Sequence, residues 1–372
     1  MNNTKEAELL RTRIEGLLEK KRDYRREIKD LAGSRRYVAF YGCGAILNSI
    51  VETWNAQVGR KIDFCCDSDS GKWGKSFSGI KCVSPDELAA MKEDCTVFVT
   101  VGDFRPVFDL LKARGFPSVN LLYKYDLAAS GFLAGCEPAA VAAELVKVYG
   151  CLSDGRSRQV FDSIVSRVLG DGLNTGLMPG VCEKAQYFPA DLIRLTGHEN
   201  FADIGAYDGD TVRDLAARTG GKFDKVYSFE LDAVNFAALK ANVAAMPERD
   251  RIEIFNLGAW DSERDISYSV GRSQSTAGEG EATGHVVTLD EALKGEKVTF
   301  IKMDIEGAEP QALRGARNLI RAQKPTLAVC IYHDFRHLWE IPLYIKELVP
   351  EYKLYLRHHT NLEYETVCYA VP

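Results

Sequence analysis

The chain reads as an α/β protein built on a doubly wound, mostly parallel sheet, and three observations predict this. Residues 201–212, FADIGAYDGDTV, run from an apolar strand through a glycine turn into a helix start. Residues 225–230, KVYSFE, are a second apolar strand ending in a carboxylate. From there to residue 372, apolar strands alternate with helical stretches, a pattern that specifies parallel strands joined by right-handed crossovers.

Each element follows from its residues. Gly205 and Gly209 free the backbone to turn sharply and admit a ligand where a Cβ would stand in the way, and Asp210 is expected to cap the helix that begins near Thr211. Glu230 stands 25 positions after Gly205, where a doubly wound sheet places the acid that grips both hydroxyls of a ribose. Next come a helix from about Ala233, the strand IEIFNLGA, a hairpin-like DISYSV and the strand VTFIKMD. Residues 308–323 read as one helix, TLAVCIYH as a buried strand, and HLWEIPLYIKEL as a helix with a kink or boundary at Pro342. KLYLRHH and ETVCYAV close the chain as a strand pair joined by a short turn, so they should be antiparallel.

Dinucleotides and S-adenosylmethionine (SAM) share this geometry, and the loop chemistry separates them. The dinucleotide fingerprint G-x-G-x-x-G aims helix amides at a pyrophosphate. Here the spacing is D-x-G-x-x-x-G with Asp203, Asp208 and Asp210 around the turn. Those charges repel a pyrophosphate and suit a ligand carrying a sulfonium and an ammonium group, which favours SAM.

The motifs QYFPADLI (186–193), FADIGAYDGDTV, VYSFELD and above all FIKMDIEGAEPQAL (300–313) resemble those of the FkbM family of SAM-dependent methyltransferases, from about Tyr187 to Pro372. The resemblance implies a class I methyltransferase sheet and methyl transfer, usually to oxygen, often on a sugar, polysaccharide or secondary-metabolite hydroxyl. It places the segment Gln186, Tyr187 and Phe188 at the border of the cofactor pocket; an apolar staple for the entering chain is the alternative. The expected cofactor set is Asp203, Gly205, Tyr207, Gly209, Glu230, Leu231, Asn256, Gly258 and Tyr187. Asn256 has a plain alternative, closing a turn at a strand end.

For chemistry, Asp304 and Glu306 end and follow the fourth strand of this sheet, beside the crevice where such sheets bind ligands. His333 and Asp334 end the neighbouring strand. His333 or Asp304 is expected to take the acceptor's proton. Carboxylates gathered there also suit Mg²⁺, although no metal ligand set is assigned. Glu309 serves equally well by favouring a positive helix N-terminus. His358 and His359 read as packing or surface residues.

Upstream the organisation changes. Residues 1–32 form a charged helix in which Leu10, Ile14, Leu17, Lys21, Tyr24, Ile28 and Leu31 alternate spacings of four and three. Two readings stand: a coiled coil forming a homodimer, or an amphipathic helix lying on its own domain. The basic KKRDYRR within it reads as a solvated face. Residues 33–125 look like the small Rossmann-like domains attached to sugar-modifying enzymes, with Gly42, Gly44 and Asp67 as a candidate nucleotide site. Leu47 occupies the third glycine position, so a domain that only packs is the alternative. Residues 126–195 form a helical linker or cover, with GDGLNTGLMPG as a hinge, and residues 196–372 form the methyltransferase domain. GRSQSTAGEGEATGH (271–285) reads as a long mobile loop suited to gating a substrate.

Composition bounds the rest. The 372 residues suffice for two domains, and 46% apolar content supplies ordinary cores. No 18-residue apolar run and no signal sequence is evident, which predicts a cytoplasmic protein without a membrane span. Ten scattered cysteines without a C-x-x-C pair predict reduced buried thiols and no zinc. A net charge of −6 lacks the electrostatic footprint of a nucleic-acid partner. The expected function is O-methylation by SAM. The alternatives are a non-catalytic SAM-binding scaffold, or an NAD or nucleotide-sugar enzyme using the first domain.

Overall fold

The computed structural model describes residues 2–19, 24–122, 137–169, 180–269, 276–277, 282–360 and 364–372. It divides into two compact units, one comprising 1–143, 162–179 and 361–363, the other 144–161, 180–360 and 364–372.

In the first unit, six strands form one sheet in the order β3-β4-β2-β1-β5-β6: β1 Tyr37–Tyr41, β2 Phe64–Cys66, β3 Ser76–Phe77, β4 Ile80–Val83, β5 Cys95–Val99 and β6 Val119–Leu121. All pairings are parallel except β3 with β4. The Ala45–Gln57 helix buries Leu47, Ile50 and Trp54 against this sheet, and Trp54 meets Phe40 and Phe98 edge-on at 4.9 and 5.2 Å. Leu47 is thus a core residue, which explains its place at the third glycine position. Asp67 is engaged internally: its carboxylate accepts from the Cys43 amide (2.9 Å) and from Lys72 Nζ (2.8 Å).

The expected helical segment at residues 1–32 is helical wherever it is described. Helices cover Asn2–Glu19 and Tyr24–Gly33, and Lys21 lies outside the described residues. Leu10, Ile14 and Leu18 are buried within the single chain, whereas Leu17 is only partly so. Arg13 pairs with Asp162 at 3.5 Å. Ile28 and Ala32, both without exposure, belong to the core under the first sheet. These burials give the apolar face partners in its own chain, as the second reading of this segment requires.

The second unit holds a seven-stranded sheet of order β16-β17-β15-β14-β7-β8-β9. Its strands are β7 Asn200–Ile204, β8 Lys225–Phe229, β9 Ile252–Phe255, β14 Phe300–Met303, β15 Thr326–Cys330, β16 Lys353–His358 and β17 Thr366–Val371. Only β17 runs antiparallel to its neighbours, the arrangement of a class I methyltransferase sheet. Four short strands make a side sheet of order β10-β13-β11-β12: β10 Gly258–Ala259, β11 Arg264–Ser269, β12 Thr276–Ala277 and β13 Ala282–Val287. The expected loop at 271–285 therefore includes strand residues, while 271–275 and 278–281 lie outside the described residues, as do 170–179 of the expected hinge.

Phe188, Phe201 and Phe300 pack edge-to-face or tilted at 5.3–5.8 Å in the core beside this sheet. Phe188 anchors the segment that carries Gln186 and Tyr187. On the far edge, Ser157 Oγ accepts from the Leu356 amide (2.9 Å), and the buried Arg357 pairs with Asp154 (2.7 Å) and Asp191 (2.6 Å). His358 donates or accepts at Thr366 Oγ1 (2.8 Å) and His359 faces the Glu183 carbonyl (3.1 Å), which makes both packing residues. Two local expectations are corrected. Gly209, in the left-handed region at φ 86°, is the N-cap of the Asp210–Thr219 helix, and Asp210 lies one position inside, accepting from the Thr211 amide. Residues 308–323 break into helices Glu309–Gly315 and Arg317–Gln323. Gly315 sits against the chain at Trp260, where a Cβ would lie 1.8 Å from the carbonyl oxygen.

Candidate active site

A cavity of about 330 Å³ opens beyond the carboxyl ends of β7, β8 and β14. Order reverses between β7 and β14, so this is the switch point where doubly wound sheets hold ligands. Gly205, Tyr207, Glu230, Leu231, Gly258, Tyr187, Asp304 and Glu306 line it. Asp203 and Asn256 do not: the first is wholly buried beneath, and Asn256 Nδ2 donates to the carbonyls of Glu230 (2.8 Å) and Leu231 (3.0 Å), fixing the chain after β8. Gly209 stays outside too, packed on Leu239.

The glycine turn is forced by proximity. Gly205 has φ 83°, and a Cβ there would stand 1.9 Å from the Asp304 carbonyl oxygen, so the β7 and β14 ends approach as closely as they do only with glycine. Four non-glycine residues with positive φ also border the cavity: Tyr187 (63°), Tyr207 (49°), Glu306 (56°) and Glu365 (63°). Such conformations cost about 1–3 kcal/mol each and concentrate where the surroundings must aim a side chain.

At one end, Glu230 is buried at 7% exposure and both its oxygens are held: Oε2 accepts from the Tyr207 amide and Oε1 from the Asp232 amide, each at 2.8 Å. Burial raises its carboxyl from the usual value, against the pull of those amides. Leu231, Leu257, Ile266 and Val286 make the adjoining wall apolar. Leu231 fits there because Gly284 leaves room; a Cβ on Gly284 would come 2.4 Å from Leu231 Cδ1.

At the other end the charges are dense. Lys302 lies in apolar β14 as the register partner of Asp203 on β7, with Nζ 3.1 Å from Asp203 Oδ1 and donating to the Gly205 carbonyl at 2.6 Å. Burial pushes Asp203 up to about 6 despite that partner, and Asp203, Asp304 and Asp210 together outweigh the burial that opposes charge on Lys302. Asp304 accepts from the Tyr187 hydroxyl (2.7 Å) and the Tyr332 hydroxyl (3.1 Å). His333, just past β15, faces Asp304 (3.5 Å) and Glu306 (3.3 Å) through Nε2 and Glu309 (3.0 Å) through Nδ1. Burial alone would discharge this imidazole, but Glu309, Glu306 and Asp304 raise it well above the ordinary histidine value. In turn, His333 and Lys302 hold Asp304 below the carboxylate range against its own burial. Glu309 Oε1 also accepts from the Ile305 amide (2.9 Å), so Glu309 ties the turn to His333. Asp334 pairs with Arg336 (2.6 Å) and is not among the cavity residues.

Sequence reasoning passed over Lys302, Tyr332 and Glu365 as site residues. Lys302 carried a readable signal, since a lysine inside FIKM needs a buried anion. Glu365 carried none: it precedes β17, with Gln186 Nε2 donating to Oε2 and the Tyr332 hydroxyl 3.4 Å from Oε1. Burial, then the Asp304 charge, pushes its carboxyl up to about 7.

Comparison with known proteins agrees with this geometry. Residues 203–362 match the family model described as the Methyltransferase FkbM domain. The structure of Methyltransferase FkbM from Methylobacillus flagellatus KT superposes with a TM-score of 0.73 at 22% identity, covering 92% of this chain and 93% of that one. A putative rRNA methylase from Clostridium thermocellum aligns at a TM-score of 0.32 and 13% identity over 52% of this chain and 92% of that one. No curated protein matches. The sheet order, the switch-point cavity and the matched segment agree: the second unit has a class I methyltransferase fold, and residues 203–362 match the FkbM methyltransferase domain.

Proposed function

We propose that the chain is a SAM-dependent O-methyltransferase acting on a hydroxyl of a sugar, polysaccharide precursor or secondary metabolite. The observation that carries this reading is Glu230. Each carboxylate oxygen has two lone pairs, and a backbone amide takes one on each, so one per oxygen is left to meet a pair of vicinal ribose hydroxyls. Leu231, Leu257, Ile266 and Val286 suit an adenine beside that ribose, and Asp210, Asp304 and Glu306 suit a cationic end. SAM supplies an electrophilic methyl on sulfonium, and the chain's residues do the rest by placement.

Glu365 is assigned as the group that takes the hydroxyl proton. It lines the cavity beside Asp304, Gln186 and Tyr332 orient it, and its carboxyl near 7 is matched to neutral operation. His333, already charged among three carboxylates, neutralises them instead, and Asp304, held low, is the weaker acceptor. Asp304 then orients Tyr187 and Tyr332; as the methyl passes to the hydroxyl oxygen, the S–C bond would break, the neutral thioether would leave and the proton would go to Glu365. Holding both reactants in line is worth about 7–11 kcal/mol of barrier.

Mg²⁺ is a secondary proposal: Asp304, Glu309 and His333 offer ligand atoms within 4.8 Å of one another, and an ion there would displace the proton from His333. Loss of activity on chelation, restored by Mg²⁺, supports it; full activity in EDTA removes it.

Labelled SAM incubated with nucleotide sugars and cell-extract fractions tests the function. Transfer to an acceptor, lost at least about 10²-fold in Glu365→Gln with SAM affinity kept within a few-fold, is the expected result. The base works deprotonated, so kcat should climb about tenfold per pH unit below about 7 and level off above it. A flat profile, or full activity in the variant, overturns the role of Glu365. SAM binding with no transfer to any acceptor favours the scaffold reading.

A further inference from the structure

Three cysteines far apart in sequence converge in the core of the first unit. Cys43 follows β1, Cys65 lies in β2 and Cys82 in β4, and the last two are register partners on adjacent parallel strands. Their Sγ atoms all lie within 4.8 Å of one another, with Cys43 and Cys82 sulfurs 3.5 Å apart. Exposure is 6% for Cys43 and 0% for the other two. A thiolate coordination sphere with metal–sulfur bonds of about 2.3 Å sets its sulfurs roughly 3.8–4.0 Å apart, so the observed spacing needs little adjustment to close on an ion.

We propose that Cys43, Cys65 and Cys82 form a buried three-thiolate site for a soft monovalent cation, Cu⁺. The donor set selects the ion. Structural zinc takes four ligands, and among the described residues no fourth cysteine, histidine or carboxylate joins this cluster. Cu⁺ prefers soft sulfur donors. Lys72 donates to Asp67 at 2.8 Å. Asp67 also accepts from the Cys43 amide, pinning that sulfur's backbone. The trio belongs to the same buried apolar core as Leu47, Ile50 and Phe98. Binding forms Cu–S bonds with no change of oxidation state, and each thiol that ligates releases its proton to solvent.

This site is independent of methyl transfer and is tested without it. The reduced full-length chain is titrated with Cu⁺ under anaerobic conditions against the chelator bicinchoninate. One Cu⁺ retained per chain, with only sulfur around copper in X-ray absorption, is expected. Cys43→Ser and Cys82→Val should each weaken retention at least about 100-fold, beyond the loss typical of an outer-sphere partner, with unchanged circular dichroism. No retained copper, retention in both variants equal to that of the wild type, nitrogen or oxygen around the metal, or preferential binding of Zn²⁺ would each overturn the proposal. X-ray absorption of the wild-type complex decides the matter even if a variant fails to fold.

Discussion

Lys302 stands in the middle of an apolar strand, and β14 tolerates it because Asp203 is its register partner on β7. Lys302→Met leaves that carboxylate buried and unpaired, which should cost about 3–5 kcal/mol in denaturant unfolding. Adding Asp203→Asn should restore part of the loss; a single variant as stable as wild type would mean the pair does not hold β7 to β14. Asp304 accepts a hydroxyl on each of its oxygens. Asp304→Asn should lower methyl transfer about 10²-fold through lost positioning of Tyr187 and Tyr332, read by labelled transfer. At this scale the sequence was legible where chemistry is local. Glu230 follows its strand at a fixed distance from Gly205, and Asp304 ends another. Glu365 was not legible, because its role arises when β17 inserts between β15 and β16 and brings it beside Tyr332.

Among elements, the β7 turn is the most constrained. Gly205→Ala places a Cβ against the Asp304 carbonyl in a left-handed conformation, so β7 and β14 must separate at the cavity mouth. Loss of SAM binding together with a lower melting temperature is the expected outcome; unchanged binding would show that the turn relaxes freely. The N-terminal helices illustrate what periodicity alone leaves open. An a/d spacing reports an apolar face and not its partner, and here Ile28 and Ala32 face the first unit's own core. Ile28→Ala should cost about 2–5 kcal/mol, and deleting residues 1–32 should lower stability without changing the mass seen by light scattering. Halving of the mass, with stability kept, would restore the coiled-coil reading. The break at Ala316 was invisible in sequence because it follows from the approach of Gly315 to the chain at Trp260, a contact between distant segments.

For the whole molecule, alternating strands and helices predicted the seven-stranded sheet, and its final antiparallel pair was visible in the short turn between two apolar runs. The side sheet was less visible, because its strands are short and lie within a stretch rich in Gly, Ser and Thr. Among the described residues no helix is long and apolar enough to cross a membrane. The first unit repeats the strand–turn–helix start of the second, yet Leu47 packs in its core and Asp67 is engaged by Cys43 and Lys72. The cofactor reading therefore concentrates on the second unit, where the switch-point cavity, its buried glutamate and its acidic end coincide. Calorimetric titration of the full chain with SAM tests this most directly. Saturable binding at a single site is expected, weakened about ten- to a hundred-fold by Glu230→Ala, as for losing a charge-assisted bond of about 1.5–3 kcal/mol, with the fold intact. No binding by the wild-type chain, or equal affinity in the variant, would contradict it.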